Sequence, residues 1–206
     1  MMNEYYSLSS AVEAELKVKN SAFIAFLRSV DSRLQAEACI TERSRKFHDA
    51  THNCYAFRVG FDDRLAAKSS DAGEPAGTGG RPILQALERR HLTNIVAVVT
   101  RYFGGVKLGT GGLVRAYSAA TLAAIDLAAL SPIFPKQRMR LRYSYAQTSA
   151  VQKILGLIAA EAIQENFGSE VSQVIEVRLQ RAAEAQQLLR NACAGKIMID
   201  LFETPP

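Results

Sequence analysis

Apolar residues recur along the chain with two periods, and the switches between them mark out the elements. Alternation over Ala11–Val18 and Ser21–Val30, with Phe23, Ala25 and Leu27 on one side, predicts two strands. Asp31–Phe47 predicts a helix, with a capping box of Ser32 and Gln35 and a buried side shared by Leu34, Ala38 and Phe47. Thr51–Gly60 predicts a strand and Phe61–Gly80 a polar loop. Arg81–Arg90 predicts a short helix whose first turn accommodates Pro82. Asn94–Tyr102 is an almost unbroken apolar run, the pattern of a strand buried on both faces. After a glycine-rich segment, Phe103–Gly112, comes a helix over Leu113–Leu130 that is apolar nearly all round and therefore central. Ser131-Pro132 and Pro135 mark its end.

The pattern then restarts. In Lys136–Ala146, Lys136, Arg138, Arg140 and Arg142 face one way and Met139, Leu141 and Tyr143 the other. A helix over Thr148–Ala160, with Ser149 and Gln152 as its capping box, precedes strands at Ala162–Asn166 and Val171–Leu179. A helix over Ala182–Ala194 is stopped by Gly195, and a strand over Ile197–Phe202 follows. The order β-α-β-β-α-β predicts a ferredoxin-like domain. The whole is of the α+β class, with a first domain over 1–132 and a second over 136–206.

Composition changes this picture little. The 206 residues suffice for one large or two modest domains, and 48% hydrophobic with 22% charged is ordinary for a globular protein. The start, MMNEYYSLSS, lacks the basic and apolar regions of a secretory signal. The most apolar stretch, Tyr117–Leu130, is short for a membrane span and holds Asp126. A cytoplasmic location without membrane contact is the expectation. Cys39, Cys54 and Cys193 are odd in number and widely spaced, so they predict free thiols. His48 and His52 have i, i+4 spacing, but a helix there runs into a strand. No metal site is expected, and no cofactor motif is present.

Charge is informative. The net charge is +5, and residues 40–115 alone carry twelve Lys/Arg against seven Asp/Glu. The same region holds two glycine-rich segments, DAGEPAGTGGRP at Asp71–Pro82 and RYFGGVKLGTGGLVRAY at Arg101–Tyr117. Glycines let a backbone approach a ligand closely, and neighbouring cations favour an anion. Gly109, Gly111 and Gly112 precede a helix whose first N–H groups lack internal partners. With Arg81, Arg101, Lys107 and Arg115 they make a phosphate cradle. The competing reading is tight turns with close helix–strand packing. Neither a Walker loop nor G-x-G-x-x-G is present.

Other candidates flank these loops. Asp71 and Glu74 are acid–base candidates, but beside Arg81 or Arg101 they also suit bracing salt bridges. His52 and Cys54 share one strand face and Asn53 the other. No nucleophile elbow accompanies Cys54, so His52 or Asn53 lining a basic cleft is favoured over a catalytic cysteine. Phe103 is read as core and Tyr102 as a surface residue for base stacking. The row Lys136, Arg138, Arg140 and Arg142 is a secondary basic face, relieved by acids such as Glu176 or serving to track an RNA backbone.

Four segments carry a family resemblance: KNSAFIA at Lys19–Ala25, ATHNCYAFR at Ala50–Arg58, GEPAGTGGRPIL at Gly73–Leu84 and VVTRYFGGVKLGTGGLVRAY at Val98–Tyr117. The chain resembles bacterial two-domain members of the YigZ/IMPACT family over about residues 17 to 203. The resemblance implies a first domain folded like the second domain of a small-subunit ribosomal protein, as in RNase PH and small-molecule kinases. It implies a second domain like the fifth domain of elongation factor G. Eukaryotic relatives regulate translation through an additional N-terminal domain that this chain lacks. Two positions depart from the family pattern. Ala72 stands where a second aspartate is usual, which weakens a metal-binding acid pair, and Gly79 stands where alanine is usual.

Three functions fit these observations. One is a nucleic-acid-binding protein, of RNA or the ribosome, that regulates translation. Another is an enzyme acting on a small phosphorylated ligand or nucleotide. The last is a protein-interaction module without chemistry. Oligomeric state is left open.

Overall fold

The computed structural model describes residues 5–202; the outer ends of both expected domains, residues 1–4 and 203–206, lie outside them. Contacts group the chain into two compact units, one ending at Ile133 and the other beginning at Phe134. Both mix strands with helices, and there are five helices in all among the described residues.

The first unit is built on a five-stranded antiparallel sheet. Its strands are β2 (Val12–Val18), β3 (Ser21–Ser29), β4 (His52–Val59), β5 (Ala66–Ser70) and β6 (Ile95–Tyr102), in the order β2-β3-β6-β4-β5. The apolar run of β6 is central and buried on both faces up to Arg101. Lys19 and Asn20, both at positive φ (45° and 64°), form the two-residue turn between β2 and β3. On one face lie α2 (Gly80–Arg89) and α3 (Gly109–Leu127), closing a core around Phe23, Leu27, Leu87, Val99 and Tyr117. On the other lies α1 (Arg33–Lys46), over Phe57, Val59, Val96 and Val98. A separate two-stranded sheet pairs β1 (Tyr5–Leu8) with β7 (Leu130–Ile133).

Several expectations need correction. Leu34 and Ala38 face solvent, and Leu34 is 78% exposed. The buried side of α1 is Ala36, Cys39 and Arg43. The helix is turned because the Arg43 guanidinium lies 4.2 Å from the Phe26 ring centroid and 4.6 Å from that of Phe47, and pairs with Glu13. A cation held in this way takes a core position that sequence reasoning reserves for apolar residues. Ser32 does cap Gln35, but the Gln35 side chain accepts from Asp31 rather than from Ser32. The polar loop contains the edge strand β5, whose exposed sequence AAKSS gave no alternation signal.

The second unit has the order β8 (Lys136–Tyr143), α4 (Thr148–Ile158), β9 (Glu161–Phe167), β10 (Val171–Arg178), α5 (Ala182–Ala192) and β11 (Met198–Phe202). Its antiparallel sheet runs β11-β8-β10-β9. Both helices pack on one face, over Met139, Leu141, Tyr143, Ile175 and Val177. The capping box expected at Ser149 is found at Ser144 with Gln147, at the head of a 3-10 turn that leads into α4. No helix is long and apolar enough to cross a membrane among the described residues.

Candidate functional site

The end of β6 is where the two glycine-rich segments meet. In β4, β6 and β3, His52, Arg101 and Phe23 are register neighbours on the face that α3 covers. The loop before α2 brings Glu74 onto the same spot. One oxygen of Glu74 accepts from the Arg101 guanidinium at 2.6 Å and from the Tyr117 hydroxyl at 2.8 Å. The Glu74 and Arg101 side chains are 3% and 6% exposed. This ion pair is buried, and its two donors offset the desolvation of the carboxylate. It joins the first glycine segment to β6 and α3. The Arg101 guanidinium carbon also lies 5.5 Å from the ring centroids of both Phe23 and Phe103.

His52 sits at the rim. Its Nδ1 is 2.9 Å from the Ala72 carbonyl oxygen, which only accepts, so Nδ1 carries the proton. Its Nε2 is 3.8 Å from the second Glu74 oxygen. Asp71 has a different task. Its carboxylate accepts from the amides of Gly77, Gly79 and Gly80 at 2.8, 2.9 and 2.8 Å, stapling the loop into the start of α2. Burial acts to raise the Asp71 carboxyl, but the three amides outweigh it and hold it below the usual range. The Cys54 thiol donates to the Asp71 carbonyl and is pushed up to about 12, first by burial. Burial thus holds it as a protonated core thiol.

Two glycines here are required by close approach. A methyl at Gly80 meets the Ser70 backbone at 2.5 Å, and one at Gly104 meets the Asn20 backbone at 2.1 Å. Position 72 has φ 44°. An alanine is strained in that conformation, which aspartate and glycine tolerate better. At Gly79, a methyl meets the Cys54 sulfur at 2.5 Å.

The remaining candidates divide. α3 begins at Gly109, so Gly109, Gly111 and Gly112 form its first turn rather than a preceding loop. No side chain caps that turn and none in it is acidic. The Arg115 guanidinium reaches back to within 3.5 Å of a methyl placed on Gly111, and Lys107 lies two residues before the helix. Arg81, Lys107 and Arg115 are exposed. Asn53 does not join this group. It lies on the opposite sheet face, where its amide donates to the Phe47 carbonyl and its oxygen accepts from Thr100. Phe103 is 46% exposed rather than core, because the chain leaves the sheet there with its amide held by the Thr51 hydroxyl. Tyr102 is half-buried and donates to Asp49.

The basic row of β8 is partly neutralised. Lys136 pairs with Glu161 at 2.6 Å and Glu176 at 3.3 Å, Arg138 with Glu176 at 2.7 Å, and Arg142 with Asp200 at 3.1 Å.

Sequence reasoning missed two contributors. Tyr117 was read only as part of an apolar helix, although a buried tyrosine hydroxyl demands a polar partner. Lys19 was read only as a motif residue. The turn it shares with Asn20 packs against Gly104, which places a further exposed cation beside the second glycine segment.

Comparison with known proteins agrees with this architecture. Residues 19–125 match the Impact N-terminal domain. The chain is 36% identical over 167 residues to the IMPACT family member YvyE of Bacillus subtilis, covering 81% of this chain and 73% of that one. It is 33% identical to an IMPACT family member of Haemophilus influenzae, covering 98% of both. A crystal structure of a hypothetical protein aligns over the whole of both chains with a TM-score of 0.71 and 29% identity. The chain therefore belongs to the IMPACT family.

Proposed function

We propose that this protein binds RNA, free or in the ribosome, and acts in the regulation of translation. The observation that carries the reading is the uncapped, glycine-built first turn of α3, flanked by Lys107 and Arg115. Free N–H groups and the positive end of the helix dipole suit a phosphate there, and the two side chains supply charge. Lys19 and the exposed ring of Phe103 extend this surface. Arg101 and Glu74 hold it in shape rather than touching the ligand. We assign the first unit to the fold of the second domain of a small-subunit ribosomal protein. The second is assigned to the ferredoxin-like fold of the fifth domain of elongation factor G. A cytoplasmic location accords with such a partner.

Titration of labelled single-stranded RNA tests this reading. Binding should weaken with salt by about 0.7 log units per decade for each phosphate contacted. Lys107→Ala and Arg115→Ala should each weaken it. No binding at low salt removes the proposal.

A second reading, an enzyme acting on a small phosphorylated ligand, draws on His52, whose Nε2 lies at the rim 3.8 Å from the Glu74 carboxylate. Turnover of nucleotides or phosphoesters that is lost in His52→Gln, with RNA binding intact, selects it.

A further inference from the structure

The face of the second sheet not covered by α4 and α5 divides into two halves. At one end Lys136 and Arg138 are matched by Glu161 and Glu176. At the other, Asp200 is the one carboxylate beside the guanidiniums of Arg140 and Arg142. Arg142 pairs with Asp200, while Arg140 lies over the Phe202 ring at 5.5 Å and has no ion pair among the described residues.

The register builds a hollow at this second end. Arg140, Val174 and Gln164 form one rung across β8, β10 and β9, and Arg142, Ser172 and Asn166 form the next. Directly paired residues share a face. Short side chains on β10 therefore make a floor between long ones on β8 and β9, which stand two strand spacings, or about 10 Å, apart. The resulting depression has a volume of about 330 Å³, and Asp200 closes its end. Of its charged groups, Arg142 and Asp200 pair with each other. The side chains of Gln164, Asn166 and Ser172 make no hydrogen bond to the described protein, and the Arg142 Nε is buried without an acceptor.

We propose that this depression binds a nucleotide through its phosphate and base. Arg140 and Arg142 take the phosphate. The Gln164 and Asn166 amides, each offering a donor and an acceptor, read a base edge. The volume lies within the range of small-ligand sites, which favours one nucleotide over a long groove. No aromatic side chain lies on this face of β8 or β10, so the base is held by its edge rather than by stacking on a ring. The nucleotide is either free or one unit of an RNA strand. The ligand class rests on the nucleic-acid reading above, but the residues are different ones.

The test is calorimetric titration of the full chain with nucleoside monophosphates and inorganic phosphate, beside anisotropy with labelled single-stranded RNA. Arg142→Ala, Arg140→Ala and the double variant Gln164→Ala/Asn166→Ala are compared with Lys107→Ala, and unfolding curves verify that each is folded. Monophosphate binding that falls about tenfold or more in the arginine variants, and also falls in the amide variant, supports a free nucleotide. RNA binding with the same dependence but no monophosphate binding supports a strand. If RNA binds and only Lys107→Ala weakens it, this proposal fails and the α3 surface stands. If phosphate competes as well as nucleotides and the amide variant is silent, the base-reading proposal fails. Absence of all binding overturns both.

Discussion

Removing the Glu74 carboxylate leaves Arg101 buried between two phenyl rings without its counter-charge. Such a loss costs about 3–5 kcal/mol, so Glu74→Ala should be strongly destabilised in urea denaturation. Arg101→Met/Glu74→Leu should recover much of that loss, since it removes both charges from the core. Asp71 acts through pH. Its folded-state carboxyl is depressed, so its contribution is present above the unfolded value, about 3.9, and is lost as pH falls through the lower folded value. Asp71→Asn should be less stable than the parent at pH 7, by roughly 1–3 kcal/mol, and the gap should shrink below about pH 4. Equal gaps at pH 7 and pH 3 rule this out. Ala72, at φ 44°, should gain about 0.5–1 kcal/mol on replacement by glycine. The sequence suggested that Asp71 or Glu74 braces the loop through Arg81 or Arg101; the structure pairs Glu74 with Arg101 and sets Asp71 on backbone amides. Which of them is buried and which caps a turn depends on Tyr117 and Arg101 arriving from elsewhere in the chain.

The first turn of α3 separates architecture from binding at the level of an element. Gly111 is helical and open, with only the Arg115 side chain nearby, so Gly111→Ala should stabilise the protein by about 0.5–1 kcal/mol. Under the proposed function the added methyl obstructs the phosphate, so RNA binding should fall while the melting temperature rises. Gly104→Ala should instead destabilise by roughly 1–3 kcal/mol, because backbone of the β2–β3 turn occupies the methyl's place. Alternation made β3 and β8 legible from sequence, and an almost unbroken apolar run did the same for β6. The face of α1 was misread because Arg43 takes a core position through aromatic and carboxylate partners. The strand β5 was missed because it is an exposed edge, where no burial imposes alternation.

At the scale of the whole molecule, each unit has its own core, and the first needs its last strand. A fragment through Ile133 should unfold cooperatively, whereas one ending at Leu127 loses the β1–β7 ladder and uncovers Tyr5 and Leu8. Its melting temperature should be clearly lower, a difference that calorimetry reads directly. The sequence revealed the restart at Lys136 as a change of period, but it gave no sign that Leu130–Ile133 turns back to meet Tyr5–Leu8. That pairing joins two short segments with no shared pattern.

Tyr5 faces Ile133 across that ladder. The described ends of the first unit thus lie side by side, like the two ends of a thread at one eyelet. Such a body should tolerate circular permutation: a permutant that joins these ends and opens a surface loop should melt close to the parent, and one that fails to fold would refute this.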